Sequence, residues 1–345
     1  MARPTLKDVA RRAGVSVSTV SYALNDTSRV QLSAETRGRV RRIAKELGYT
    51  PNLFARSLQA RSSRTIGVVV SKPLTNPRYA AIVHGTGTAL MDRGLRMTVL
   101  PRPDVSGYLD DCRSGFLEGI IFVGHDDVTV PQELVDAAGE GLAPMVAIDC
   151  GASDADTPFS TVDFDYELGT ASMIEHLAGR GITTVLHVRP EVSSRAERLR
   201  QMALMRVLGS HDRISLQVVS TGLKDADLAE LDAAGQHGDY LHHQAARLTA
   251  ALEDVDERAA RVAVLCSWGA DVEVALSVVQ RVAPGATVAA LAGGWPRVEV
   301  WPGLTYSRLP LEEAGETAAR LLTQELTPDA HHEHVLLPPE ALSSS

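Results

Sequence analysis

Apolar positions in the first fifty residues recur at helical spacing. Leu6, Val9, Ala10 and Ala13 stand at i, i+3, i+4 and i+7 and predict a short first helix with one apolar stripe. Gly14 supplies the positive φ that a tight turn between crossed helices needs. Ser16 is placed to cap a second helix over about Val17–Leu24. Val20, Ala23 and Leu24 of that helix can face the first, while Val17, Ser18, Ser21 and Tyr22 lie on the opposite side with nothing to cover them. After a polar loop, Asp26–Ser33, a third helical pattern carries Val40, Ile43, Ala44 and Leu47, flanked by Arg37, Arg39, Arg41 and Arg42, with Gly48 as its stop. Two crossed helices offering small polar groups and a tyrosine outward have the form of a major-groove reader.

From Thr65 the pattern changes. Near-continuous apolar runs occur at Ile66–Val70, Ile120–Val123, Val146–Ile148, Val185–Val188, Val218–Val219, Val262–Leu265 and Val288–Leu291. Helical patterns separate them, around Tyr79–Asp92, Gln132–Ala138, Glu167–Leu177, Ala196–Leu208, His243–Leu252, Val272–Val282 and Glu312–Leu322. Strands covered on both faces read as such runs, so the alternation predicts an α/β fold with parallel sheets. The segment is long for one sheet, and two sheets facing each other across a cleft are expected.

Charge divides the chain at the same place. Residues 1–64 carry thirteen basic and four acidic side chains, +9, whereas 65–345 are net −18. A basic first fifth on an acidic body puts the polyanion-binding surface in one location. A hydrophobic content of 44% is enough for a large core, and no apolar run approaches a bilayer span. The beginning, MARPTLKDVARR, has no signal-peptide character, and Cys112, Cys150 and Cys266 fit reduced thiols rather than disulfides or a metal site. A cytoplasmic protein is expected.

Between the two regions lies PNLFARSLQARSSR, residues 51–64, with Pro51 suited to begin a helix and Ser62–Ser63 to end one. It sets Leu53, Phe54 and Leu58 among arginines, and is too short to bury them alone.

Together these segments resemble the lactose/galactose (LacI/GalR-type) repressor family over nearly the full length. The resemblance is carried by TLKDVARRAGVSVSTVSYALN, SAETRGRVRRIAKELGYTPN, the ARSL of Ala55–Leu58 and the TIGVVV that opens the core. Further matches are Asn76–Pro77, EGIIF at Glu118–Phe122, AID at Ala147–Asp149, STVDFDYELG at Ser160–Gly169, RLRQMAL at Arg198–Leu204 and the ending VLLPPEAL. The resemblance implies a small all-α helix-turn-helix head, residues 1–50, a hinge, 51–64, and an α/β core, 65–345, of two subdomains like those of a periplasmic sugar-binding protein. One subdomain is expected at about 65–162 with 295–326, the other at 163–294 with 327–345.

The family pattern also implies partners and sites. The expected partners are a roughly palindromic double-stranded DNA operator, a second copy of the chain, and a small-molecule effector that the resemblance implies to be a sugar. No membrane, cofactor or metal is expected. DNA contacts are implied for Thr5, Ser16, Val17, Ser18, Thr19, Ser21, Tyr22, Asn25, Arg29, Asn52, Ala55 and Leu58. The hinge positions would enter the minor groove, Leu58 wedging between base pairs. Effector contacts are implied for Ser71, Asn76, Asp149, Asp163, Arg198, Asp271 and Trp295. An arginine with two carboxylates suits vicinal hydroxyls.

Three departures qualify the sugar ligand. WGADVEVALS puts Asp271 at the family's asparagine place and Val272 at its aspartate place, or, shifted by one residue, Asp271 at the aspartate place. GGWPR puts Trp295 near a missing carboxylate, and Arg102–Ser114 is short and polar where the family has a longer helix. A non-sugar effector, or none, therefore stands as an alternative.

No catalytic constellation is assembled. Gly85-Thr86-Gly87 lacks the further glycine and lysine of a phosphate loop, and there is no GxSxG elbow or HExxH. The histidines at His331–His334 and at His237, His242 and His243 read as bystanders in polar connections rather than metal ligands. The missing catalytic motifs disfavour an enzyme with a fused DNA-binding head, and the basic head and the beginning without signal-peptide character disfavour a solute-binding receptor, against a ligand-modulated repressor of a carbohydrate uptake or catabolism operon.

Overall fold

The computed structural model describes residues 4–24, 32–49, 63–101, 105–124, 129–151, 156–210, 213–227, 238–256, 258–293, 301, 303–327, 331–340 and 342–344. The chain divides into two compact units, Met1–Arg64 and Thr65–Ser345.

In the first unit, α1 (Leu6–Ala13), α2 (Val17–Leu24) and α3 (Ala34–Glu46) enclose Val9, Ala10, Ala13, Val20, Ala23, Val40 and Ala44. Thr5 and Asp8 form a reciprocal capping box at the start of α1. Gly14 ends that helix at φ +65°, and its N–H reaches the Ala10 carbonyl. Gly48, also at φ +65°, closes α3 as its sequence position predicts. Arg41 ties α3 to α2 by donating from Nε to the Ala23 carbonyl at 3.2 Å.

The second unit contains two six-stranded sheets. The first runs β11-β5-β4-β3-β1-β2, with β1 Thr65–Val70, β2 Arg96–Pro101, β3 Gly119–Val123, β4 Met145–Ile148, β5 Ser160–Phe164 and β11 His334–Leu337, all parallel. The second runs β12-β10-β9-β8-β6-β7, with β6 Thr184–Glu191, β7 Ser215–Lys224, β8 Val262–Cys266, β9 Thr287–Gly293 and β10 Thr305–Arg308 parallel, and β12 Ser343–Ser344 antiparallel at the edge. Along β1, Ile66, Val68 and Val70 join one apolar cluster and Val69 another, since alternate residues of a strand face opposite layers.

Helices α4 (Pro77–Asp92), α5 (Val105–Arg113), α6 (Gln132–Gly139) and α11 (Leu311–Glu325) cover the first sheet. Helices α7 (Tyr166–Gly179), α8 (Arg195–Leu208), α9 (Gly238–Glu253) and α10 (Val272–Val282) cover the second. The contact of α4 with α11 depends on two glycines. A Cβ on Gly85 would lie 2.1 Å from the Glu312 carbonyl oxygen, and one on Gly315 would lie 2.2 Å from that of Ile82. Gly85 therefore serves backbone approach.

The chain passes between the sheets three times, and this corrects the expected subdomain boundaries. The first sheet keeps β5 through Phe164, so the crossing follows residue 164 rather than 162. Within 295–326, β10 belongs to the second sheet because it pairs in parallel with β9; α11 alone returns to the first. Within 327–345, β11 belongs to the first sheet, where it extends the edge beside β5, and β12 belongs to the second. The polar segment after Pro101 does hold a helix, α5, of nine residues, with Tyr108 and Leu109 buried.

Candidate DNA-reading head and interior cleft

In the head, the Ser16 hydroxyl accepts from the Thr19 N–H at 3.0 Å and so fixes the start of α2. Val20 and Ala23 point inward, which leaves Val17, Ser18 and Tyr22 exposed along one side and Thr19 and Ser21 half-buried. Of the outward face read from the sequence, Val17, Ser18 and Tyr22 are exposed, whereas Ser21 is partly covered. Thr5 and Ser16 use their side chains as helix caps. Asn25, Arg29, Asn52, Ala55 and Leu58, and the helix expected over the hinge, lie outside the described residues.

In the core, the carboxyl ends of the strands gather polar groups, as open α/β sheets do at their ligand-binding edge. Asp149 follows β4 and Asp163 lies in β5; both are buried. Asp149 takes φ +56°, a left-handed conformation rare for residues with a Cβ and found most often at functional loops. Two buried carboxylates need cations and donors. Arg78, in the first turn of α4, donates from Nη2 to Asp149 Oδ2 at 2.5 Å and to the Tyr166 hydroxyl at 2.9 Å. Arg195, the first residue of α8, donates from Nη2 to Asp149 Oδ1 at 2.9 Å and to Asp163 Oδ1 at 2.8 Å. The Arg78 guanidinium lies over the Phe164 ring and that of Arg195 over the Tyr166 ring.

The second sheet contributes a connected group. Glu197 accepts from Arg200 at 2.7 Å and from the Ser267 hydroxyl at 3.0 Å. With its proton directed at Glu197, Ser267 accepts from His187 Nε2 at 2.7 Å, which sets that histidine as the Nε2-protonated tautomer. Burial pushes the imidazole down to about 3, with the charges of Arg189 and Arg200 adding, so it is neutral. Arg200 also stacks over the Tyr166 ring, at 5.0 Å, so Tyr166 lies between the two groups.

Asp271, fully buried before α10, accepts from the Tyr240 hydroxyl at 2.5 Å, and its carbonyl accepts from Gln244 Nε2 at 3.1 Å. Among the described residues, the buried side-chain oxygens without a hydrogen-bond partner include Ser71 Oγ, Asp163 Oδ2, Gln244 Oε1 and Asp271 Oδ2. They come from both sheets' layers.

The structure sorts the expected effector residues. Asp149, Asp163 and Asp271 lie in these clusters, and Val272 is in the apolar core, which gives Asp271 the polar place. Ser71 follows β1 with its hydroxyl buried. Asn76 is the cap of α4, accepting from the Arg78 N–H at 3.0 Å, and is exposed. Arg198 is corrected: it points to solvent and reaches only the Ser193 carbonyl, at 3.4 Å. The arginines that reach Asp149 are Arg78 and Arg195, the latter three residues before Arg198 and one helical turn away. Trp295 lies outside the described residues.

Sequence reasoning missed Arg78, Tyr166, Arg195, Glu197, Arg200, Tyr240 and Gln244. For Arg78 and Arg195 a signal existed, since a cation in the first turn of a helix opposes the macrodipole and calls for an acidic partner. Two of the histidines after α11 make contacts within the fold: His332 Nδ1 is 3.0 Å from Glu325 Oε1, and His334 Nδ1 is 3.0 Å from Thr161 Oγ1.

Residues 5–52 match the family model for bacterial regulatory proteins of the lacI family. The chain is 31% identical over 242 residues to the HTH-type transcriptional regulator PtxS of Pseudomonas aeruginosa, covering 68% of each chain. It is 30% identical over 212 residues to Catabolite control protein A of Staphylococcus xylosus, covering 60% of this chain and 62% of that one. The latter match spans less than two thirds of its relative's length. In three dimensions the chain resembles the lac repressor dimer bound to operator and the anti-inducer ONPF, with TM-score 0.75, 23% identity and coverage of 99% and 98% of the two chains. The complex of the transcriptional regulator CelR with cellobiose is also similar, with TM-score 0.59, 25% identity and coverage of 99% and 98%. By its head motif, its two-sheet core and its match to PtxS over two thirds of both chains, this protein belongs to the LacI family of bacterial regulatory proteins.

Proposed function

We propose that the chain is a sequence-specific DNA-binding repressor, acting as a dimer in the cytoplasm on a roughly palindromic operator of a carbohydrate uptake or catabolism operon. The observation that carries this reading is the uncovered face of α2. Val17, Ser18 and Tyr22 stand outward on a helix whose other side is held by a packed three-helix core, in the basic part of the chain. A two-fold pair of such heads reads two half-sites in the major groove. Residues 51–64 would form the hinge, folding in the minor groove of the correct operator, with Leu58 as wedge.

The core would take a small-molecule effector between its two sheets, where Asp149, Asp163 and Asp271 are the proposed contacts. Carboxylate and amide oxygens left without donors in a buried site accept from ligand hydroxyls, which favours a polyhydroxylated compound. The similarity to a regulator solved with cellobiose supports a saccharide. Effector and operator would be coupled because each favours a different arrangement of the core.

Titration of the full-length protein with mono- and disaccharides, read as release of a fluorescent operator fragment, tests the reading. A saccharide that releases DNA from the parent and leaves the Asp163→Asn complex intact supports it. A protein with no preference for operator over random DNA overturns it.

A further inference from the structure

The seat formed at the ends of β4 and β5 is already filled. Asp149 and Asp163 present side chains that are 1% and 0% exposed, and the guanidinium between them belongs to the chain itself. Arg195 reaches that seat from α8, which covers the other sheet. The loop after β4 is shaped around it. Gly151 adopts φ +68°, and a Cβ there would stand 2.5 Å from Arg195 Cδ and 2.8 Å from Nε. The Gly151 N–H also donates to Asp163 Oδ1 at 3.1 Å, the oxygen that Arg195 grips. Tyr166 places its ring 5.7 Å below the guanidinium carbon. Carboxylates at the ends of neighbouring strands, an aromatic face and a glycine that clears the approach make a site complementary in shape and charge to a guanidinium ion.

We propose that this seat is a guanidinium-binding site which the chain fills with Arg195, making Arg195 an intramolecular ligand that latches the two sheet layers together when no effector is bound. The inference rests on reading this edge as the effector cleft and adds what first occupies it. A neutral polyol carries no charge with which to displace Arg195 and binds beside it. A compound bearing a guanidino or amino group competes for the seat directly.

Amide hydrogen exchange in the full-length protein, without DNA or effector, tests the latch. The Gly151 amide is expected to be protected in the parent and to exchange about tenfold faster or more in Arg195→Gly. Tens of millimolar guanidinium chloride restores protection to Arg195→Gly, and sodium chloride at the same concentration does not. Gly151→Val, which blocks the seat but keeps the arginine, exchanges fast throughout that segment and is not rescued by guanidinium. The amides of β8 stay protected in every variant. Protection unchanged in Arg195→Gly, no rescue, or equal rescue by sodium chloride overturns the proposal. Loss of β8 protection also overturns it, because Arg195 would then be a general structural residue. Operator binding is not read in this experiment, so its failure leaves the DNA-binding reading standing, and failure of operator selection leaves the latch measurable.

Discussion

The Tyr240 hydroxyl donates to Asp271 Oδ1 at 2.5 Å, while Asp271 Oδ2, equally buried, has no hydrogen-bond partner. A carboxyl so placed is poorly suited to carry charge. Burial pushes it up to about 7; the Tyr240 hydrogen bond works against this rise and the charge of Glu197 adds to it. The unfolded group releases its proton near 3.8 and the folded one near 7. Between these values the folded state holds more protons, so this group's contribution to stability falls as pH rises and its full cost stands above pH 7. Asp271→Asn removes the effect. Urea unfolding is expected to show parent and variant close below pH 4, with the variant more stable by a few kcal/mol at most above pH 7. A difference independent of pH contradicts this assignment.

His187 acts in the opposite sense. Its folded imidazole stays neutral down to about 3, against an ordinary value of 6.5. The unfolded state therefore binds the extra proton between those values, and stability from this residue rises with pH across that window. The slopes of His187 and Asp271 oppose each other between about pH 4 and pH 6.5. His187→Gln is expected to leave a stability that declines with pH there, and Asp271→Asn one that climbs. Parallel profiles for the two variants would refute the pairing of signs.

The α4–α11 contact gives a prediction about the fold. Gly85→Ala and Gly315→Ala each drive a methyl group into a carbonyl oxygen of the facing helix. Overpacking of this kind costs about 1–3 kcal/mol, or more where backbone must move. Both variants should lower the denaturation midpoint. Gly179→Ala, where a Cβ meets nothing within 4 Å, should not.

Elements set by local periodicity were legible in the sequence. The head's three helices, their caps at Ser16 and Gly48, and the outward trio Val17, Ser18 and Tyr22 follow from spacing within one or two turns. The buried stretches of β1, β3, β4, β6 and β8 were legible as apolar runs. Strands β2, β10 and β11 were not, because Arg96–Pro101, Thr305–Arg308 and His334–Leu337 mix polar and apolar residues at or near sheet edges. The cleft was half legible. Asp149 and Asp163 stand out by motif, but choosing Arg195 over Arg198 depends on which side of α8 faces the first sheet. That is fixed by Ala196, Ala203, Leu204 and Val207 turning inward, and by contacts 46 and 32 residues distant in sequence.

Base reading by α2 is the central claim, because Val17, Ser18 and Tyr22 stand exposed on one side of that helix. Ser18 or Tyr22 replaced by alanine should change which sequence is preferred, each lost base contact removing about 1–3 kcal/mol of discrimination, with smaller change in non-specific affinity. The decisive measurement is selection of binding sites from random duplex DNA by the full-length protein and by Ser18→Ala and Tyr22→Ala. The account predicts a roughly palindromic consensus for the parent and altered or relaxed half-sites for the variants. No consensus for the parent, or the same consensus for all three proteins, would contradict it.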